Sequence, residues 1–160
     1  MLRAYFLFLS TLNPSKAHGM YTGLLHLHDF VRWVVLLALL ILIVKSFMGW
    51  FGNKTYTTGD RKLSLVAVTA THVQALIGFI LYFVSPLVQF SSETMSNADF
   101  RFWTVEHIGA MLIGVVLITI GSAKAKRATE DVAKFKTQAI FITIGLIFIL
   151  ARIPWDRLAN

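Results

Sequence analysis

Four long apolar stretches, near residues 22–50, 63–86, 103–122 and 138–154, take up more than half of this chain and leave only short polar segments between them. A helix needs about 20 residues to cross about 30 Å of hydrocarbon, and each stretch comes close to that length or exceeds it. Inside a bilayer the backbone has to satisfy its own hydrogen bonds, so segments of this kind span as helices. With 56% hydrophobic and 14% charged residues over 160 positions, and a mean hydropathy of +0.68, the chain is too apolar for an ordinary soluble domain. The expected fold is all-α, an integral membrane four-helix bundle occupying residues 20–160, with residues 1–19 as an N-terminal extension.

The formal charge of +7 would point to nucleic acid or acidic partners in a soluble protein. Here the basic residues gather in two connecting segments. Residues 51–62 carry Lys54, Arg61 and Lys62, and residues 122–136 carry Lys124, Lys126, Arg127, Lys134 and Lys136. An even number of spans puts both segments on one side, and an excess of positive charge makes that side cytoplasmic. Both termini then lie on the outer face. The lipid bilayer is the partner this pattern implies, with no role for nucleic acid, and the expected location is a cytoplasmic membrane crossed several times. Lys45, near the inner end of the first span, is long enough to snorkel to the headgroups. There is no cysteine, hence no disulfide, no thiolate metal site and no C-x-x-C-H attachment of haem.

Residues 1–19, MLRAYFLFLSTLNPSKAHG, combine Arg3, a short apolar run and the small-x-small triplet Ser15-Lys16-Ala17. Three readings fit them: a cleaved signal, a retained outer tail, or a start upstream of an alternative initiator at Met20.

An ionisable residue within a span is costly and marks a candidate site. The first span carries His26, His28, Asp29 and Arg32 in its outer turns. Positions 28 and 32 share a helix face, so Arg32 can sit beside whatever His28 binds. Arg32 and Trp33 also suit a plain interfacial anchor. The second span has His72 at mid-depth beside Thr71 and Gln74, and the third has His107 about one and a half turns inside, after Thr104 and Glu106. The fourth has no histidine. A single membrane histidine is often a hydrogen-bonded packing residue. Three on separate helices of one small bundle favour a shared site.

A weak internal duplication sharpens the choice among them. His28 precedes Lys45 by seventeen residues and His107 precedes Lys124 by seventeen, while Gly78 and Gly145 stand eight and nine residues before Pro86 and Pro154. Two hairpins related by an axis along the membrane normal would put His28 and His107 at equal depth. Two neutral imidazoles from different helices can take both axial positions of a haem iron, which then transfers electrons but has no open position for oxygen chemistry. His28 and His107 are the preferred pair, with His72 as the substitute and His26 nearby. Thr104, three residues before His107, can orient its ring, and Arg32 or Arg101 can meet the haem propionates.

The stretches MYTGLLHLHDFVRW, GDRKLSLVAVTATHVQALIGFILYFVSP and FWTVEHIGAMLIGVVLITIGSAKAK resemble short bacterial four-helix membrane proteins of the cytochrome b-like type. More distantly the chain is similar to cytochrome b561 proteins and to half of a haem A synthase. The resemblance covers most of residues 20–155 and implies one b-type haem per chain. It also implies electron transfer in the bacterial inner membrane, with a redox partner or quinone. The absence of a histidine from the fourth span departs from a two-haem relay. Two other readings of the residues remain. One is a cofactor-free structural or assembly subunit of a larger membrane complex. The other is proton or metal handling through Asp29, Glu106 and the histidines. No nucleophile elbow, phosphate-binding glycine loop or H-E-x-x-H motif is present, so the sequence supports electron transfer at most and no catalysis of its own.

Overall fold

The computed structural model describes residues 13–155 together with Ala4, Phe8 and Thr11. Four helices, each long and apolar enough to cross a membrane, account for nearly all of it: α1 (Pro14–Phe51), α2 (Thr58–Val84), α3 (Ala98–Arg127) and α4 (Asp131–Ala151). Among the described residues there is no strand.

Local chemistry sets the helix ends. The Asn13 side chain accepts a hydrogen bond from the Lys16 amide and Pro14 takes the first helical position, a pairing suited to a start because proline lacks a donor that would be unmet there. Residues 14–19 therefore belong to the first helix. Thr57 and Asp60 cap each other's backbone amides at the start of α2. That helix stops at Ser85, which the following Pro86 holds in an extended conformation. In α3, residues Phe102–Glu106 form one π-helical turn, and the His107 amide reaches back to the Phe102 carbonyl. Such a turn inserts one extra residue and so rotates everything after it about the helix axis.

Each helix packs against two neighbours, α1 on α2 and α4, and α3 on α2 and α4. Thus α1 faces α3 across one diagonal. The turns at 52–57 and 128–130 form a basic end, and the connection 85–97 lies at the far end with the start of α1 and the end of α4. Contact between α3 and α4 is backbone-close. A Cβ on Gly114 would lie 2.9 Å from the Gly145 carbonyl oxygen, and one on Gly145 would lie 2.9 Å from that of Gly114.

Across the middle of the bundle, Leu39, Leu42, Ala67, Ile118 and Ile142 form a dry apolar layer, each no more than 1% exposed. Nearer the basic end a polar cluster follows: the Gln138 amide donates to the Tyr56 hydroxyl at 3.0 Å and to the Ser64 hydroxyl at 2.8 Å. Lys45 pairs with the buried Asp60 at 3.0 Å. The outer surface carries Phe30, Leu37, Leu40, Leu65, Leu76 and Ile147 in the open, as expected of helices that are apolar all round and sit in lipid.

Candidate cofactor site

In the far half of the bundle the helices enclose a cavity of about 380 Å³ whose walls include His28, Arg32, Gln74, Gly78, His107 and Met111. Leu87 and Val88 of the far connection close its end. Thr104 holds that connection in place, since its hydroxyl accepts from the Gln89 amide at 3.0 Å and donates to the Gln89 carbonyl at 3.2 Å.

His28 and His107 come to the cavity from the diagonal helices α1 and α3. Three registers put them at one level. The α1–α2 register pairs Lys45 with Asp60 near the basic end and seats the His28 ring on Gly78 at the other, where a Cβ would lie 2.9 Å from the His28 Cε1. The α2–α3 register joins His72 to Thr119 and Tyr82 to Thr104, which brings Gly78 opposite the turn that follows His107. The α3–α4 register matches Gly114 to Gly145 and His107 to Arg152.

The two rings are held differently. His107 Nδ1 lies 2.8 Å from the Arg152 carbonyl oxygen. A carbonyl only accepts, so Nδ1 carries the proton and Nε2 keeps its lone pair. His28 Nδ1 is buried without a hydrogen bond. Beside it, the Gln74 amide nitrogen donates to the His28 carbonyl at 2.9 Å, while Gln74 Oε1 is buried without a partner. Arg32 spans 3.0 Å to Asp29 and stacks over Trp33 at 5.4 Å, yet its Nε is likewise buried and unpartnered. Three unsatisfied polar groups on one cavity wall are a concentration that native interiors avoid unless something fills the space.

The other sequence candidates lie elsewhere. His26 is exposed on the outer surface of α1 and His72 is exposed where α2 meets α3; neither lines the cavity. The Thr104 hydroxyl serves the Gln89 backbone, and the ring-orienting partner of His107 is the Arg152 carbonyl. Arg101 does not line the cavity either; it donates to Glu106 at 2.8 Å and to the Met95 carbonyl at 3.0 Å. Glu106 has Arg152 as a second cation at 3.8 Å. Among the described residues no three His, Asp or Glu side chains gather as a cage for a metal ion.

Sequence reasoning placed Gln74 beside His72 and passed over its link to His28. The usable signal was the run Ser64, Ala67, Thr71, Gln74 and Gly78, whose alternating spacing of three and four residues is the bundle-facing seam of α2. The Arg152 carbonyl carries no sequence signal, being a backbone group. Searches against family models, curated proteins and solved structures found no match to this chain.

Proposed function

We propose that this chain is an electron-transfer protein of the cytochrome b type, holding one b-type haem between His28 and His107. The reading places it in the bacterial cytoplasmic membrane with the basic end inward and both termini outward, following the charge asymmetry of the connections. The observation that carries it is the convergence of two imidazoles from diagonal helices on one cavity, at one level. Their matched level accords with two hairpins related by an axis along the membrane normal.

The residues fit the group. A haem iron asks for two neutral imidazoles, each with its second nitrogen held by a hydrogen bond. His107 meets both conditions through the Arg152 carbonyl. For His28 the pieces are adjacent, because a turn of the ring toward Gln74 pairs two groups that are otherwise orphaned, Nδ1–H and Oε1. Arg32 brings an unpartnered Nε–H to the same wall, a donor suited to a propionate. The volume and the mostly apolar lining are those of a cofactor pocket.

Held between His28 and His107, haem would supply reversible one-electron exchange and would not serve oxygen chemistry. The protein's part is to fix the two rings, exclude water through the Leu39–Ile142 layer and the Val88 cap, and set the local charge with Arg32 and Asp29. All five histidines of the chain are at positions 18, 26, 28, 72 and 107, so the basic half has no second pair for a transmembrane relay.

The test is optical. Protein purified in detergent from haem-replete cells should give an alpha band in the reduced-minus-oxidised spectrum. His28→Ala and His107→Ala should each abolish it, and His18→Ala should leave it. A colourless preparation that brings stoichiometric partner subunits with it would overturn this reading in favour of a cofactor-free assembly subunit.

A further inference from the structure

α2 and α3 make the sparsest contact of the four neighbouring helix pairs. Hydrogen bonds tie them at three levels, one toward the basic end between the Ser64 and Ser122 hydroxyls at 3.5 Å and two that flank the cavity. The Tyr82 hydroxyl donates to the Thr104 carbonyl at 2.9 Å, and His72 Nε2 lies 2.9 Å from the Thr119 hydroxyl. The Thr119 proton is already committed to the Val115 carbonyl at 2.7 Å, so His72 is the donor of its pair. From His72 to Tyr82 is ten residues, about 15 Å of helix.

Between those struts the facing side chains are apolar: Ala75 and Phe79 from α2, and Ile108, Leu112 and Val115 from α3, all lining the cavity. Phe79 is 45% and Leu112 49% exposed. Apolar side chains that line a cavity, are half exposed and sit on the sparsest helix seam mark the thin part of its wall. Val88, 3% exposed, caps the far end beside the 40% exposed Leu87, and the fully buried Leu39, Leu42 and Ile142 layer closes the basic side. An imidazole facing lipid is expensive, and the contact His72 makes there is the strut at the edge of this thin part.

The geometry points to a lateral window between α2 and α3, framed by the His72–Thr119 and Tyr82–Thr104 pairs. Through it the cavity takes its occupant, a planar amphipathic ring compound dissolved in the bilayer, from the membrane and not from water. The identity of that ring as haem rests on the function proposed above; the window does not.

The chain has no cysteine, so engineered pairs can be bridged cleanly. Phe79→Cys with Leu112→Cys, reconstituted without haem in phosphatidylcholine vesicles and bridged by a short bis-maleimide, closes the gap. Ala75→Cys with Val115→Cys closes it one turn away should the first pair fail to fold. Ser64→Cys with Ser122→Cys is the control, bridging the same helices where the native hydroxyls are 3.5 Å apart. Haemin supplied in the vesicle membrane should enter the unbridged and control forms at one rate and the bridged window at least tenfold more slowly. Equal rates overturn the window. A second measurement needs no haem. With the four native tryptophans changed to Phe and Met111→Trp as the one emitter on the cavity wall, lipids brominated on their acyl chains should quench the open form, and the bridge should relieve that quenching. Quenching that ignores the bridge also overturns the window. Relief by the bridge in a chain that never takes up haemin keeps the window and removes the haem.

Discussion

His107 Nδ1 donates a 2.8 Å hydrogen bond to the carbonyl oxygen of Arg152, one residue past the end of α4. The acceptor is free because the last carbonyls of a helix have no donor within it. One backbone oxygen therefore fixes the tautomer of a cavity histidine, and the position of that oxygen depends on how closely α3 and α4 approach.

Gly145→Ala tests that dependence. The added Cβ would lie 2.8 Å from the Ile118 Cγ1 and 2.9 Å from the Gly114 carbonyl oxygen, and the carbonyl cannot swing aside as a side chain can. Overpacking of this kind costs about 1–3 kcal/mol. The variant should unfold earlier in a detergent titration, and with α3 and α4 pushed apart a haem held as proposed should shift its midpoint potential. Arg152→Ala keeps the carbonyl and should leave the potential nearly unchanged. An unshifted potential in a folded Gly145→Ala protein would separate the glycine contact from the His107 hydrogen bond.

Gly78→Ala acts on the other ring. Its Cβ would come 2.9 Å from His28 Cε1, so the imidazole has to turn about its own bonds. The fold should survive, because the ring can move into the cavity. On the haem reading, the g values of the loaded protein's electron paramagnetic resonance signal should change, because the His28 ring is turned. His26→Ala, on the exposed face of α1, should not change them.

The spans were legible because hydropathy over about 20 residues is a strong signal; of His28 and His107, which stand at the same distance from a lysine near the basic end, the structure shows that both line one cavity. Boundaries were less so. The first helix begins at Pro14, eight residues before the apolar run, since Asn13 and Pro14 start a helix that composition alone does not require. The π turn at Phe102–Glu106 left no trace in the pattern. His72 reads like its two counterparts in sequence, but a helical position one residue off the Thr71–Gln74 seam faces the α2–α3 edge instead of the cavity. Partners of Gln74 and Thr104 lie 46 and 15 residues away, and local sequence cannot specify them.

Thr104→Val distinguishes loop support from support of His107. It removes both hydrogen bonds to the Gln89 backbone and leaves the part-buried amide unpaired, while the carbonyl keeps its 2.7 Å bond from the Thr94 hydroxyl; an unsatisfied group of that kind costs about 1–3 kcal/mol. Hydrogen exchange of residues 88–94 should quicken while the spectrum of the proposed haem stays as it was. Loss of the alpha band with unchanged exchange in that segment would return Thr104 to the role of ring partner.

Tyr56, in the turn between α1 and α2, should show its surroundings in a pH titration. Burial beside Phe135 and Gln138 pushes its phenol above the usual value of 10.0. A group whose folded pKa is raised contributes stability that is whole below its unfolded pKa and lost as pH climbs through the folded one. Stability should therefore be flat with respect to Tyr56 up to about pH 10 and fall above it. The difference between native and Tyr56→Phe titrations at the phenolate absorbance should contain one component above 10.0. A component at or below that value would mean that the turn is open to water.

Asp60 ties α1 to the start of α2 in two ways. Its Oδ2 accepts from the Thr57 amide at 2.9 Å and from the Thr57 hydroxyl at 2.6 Å, and its Oδ1 meets Lys45 at 3.0 Å. The cap satisfies a backbone donor that the helix cannot, so Asp60→Ala should cost about 0.5–2 kcal/mol. Lys45→Met removes an ion pair whose lysine is half exposed, and a solvated pair is worth about 1 kcal/mol or less. In denaturant titrations Asp60→Ala should be the more damaging of the two, and the double variant should lose little beyond it because both act on one carboxylate. If Lys45→Met proved the worse, the carboxylate would be held chiefly by the charge on α1 and only secondarily by its own helix start.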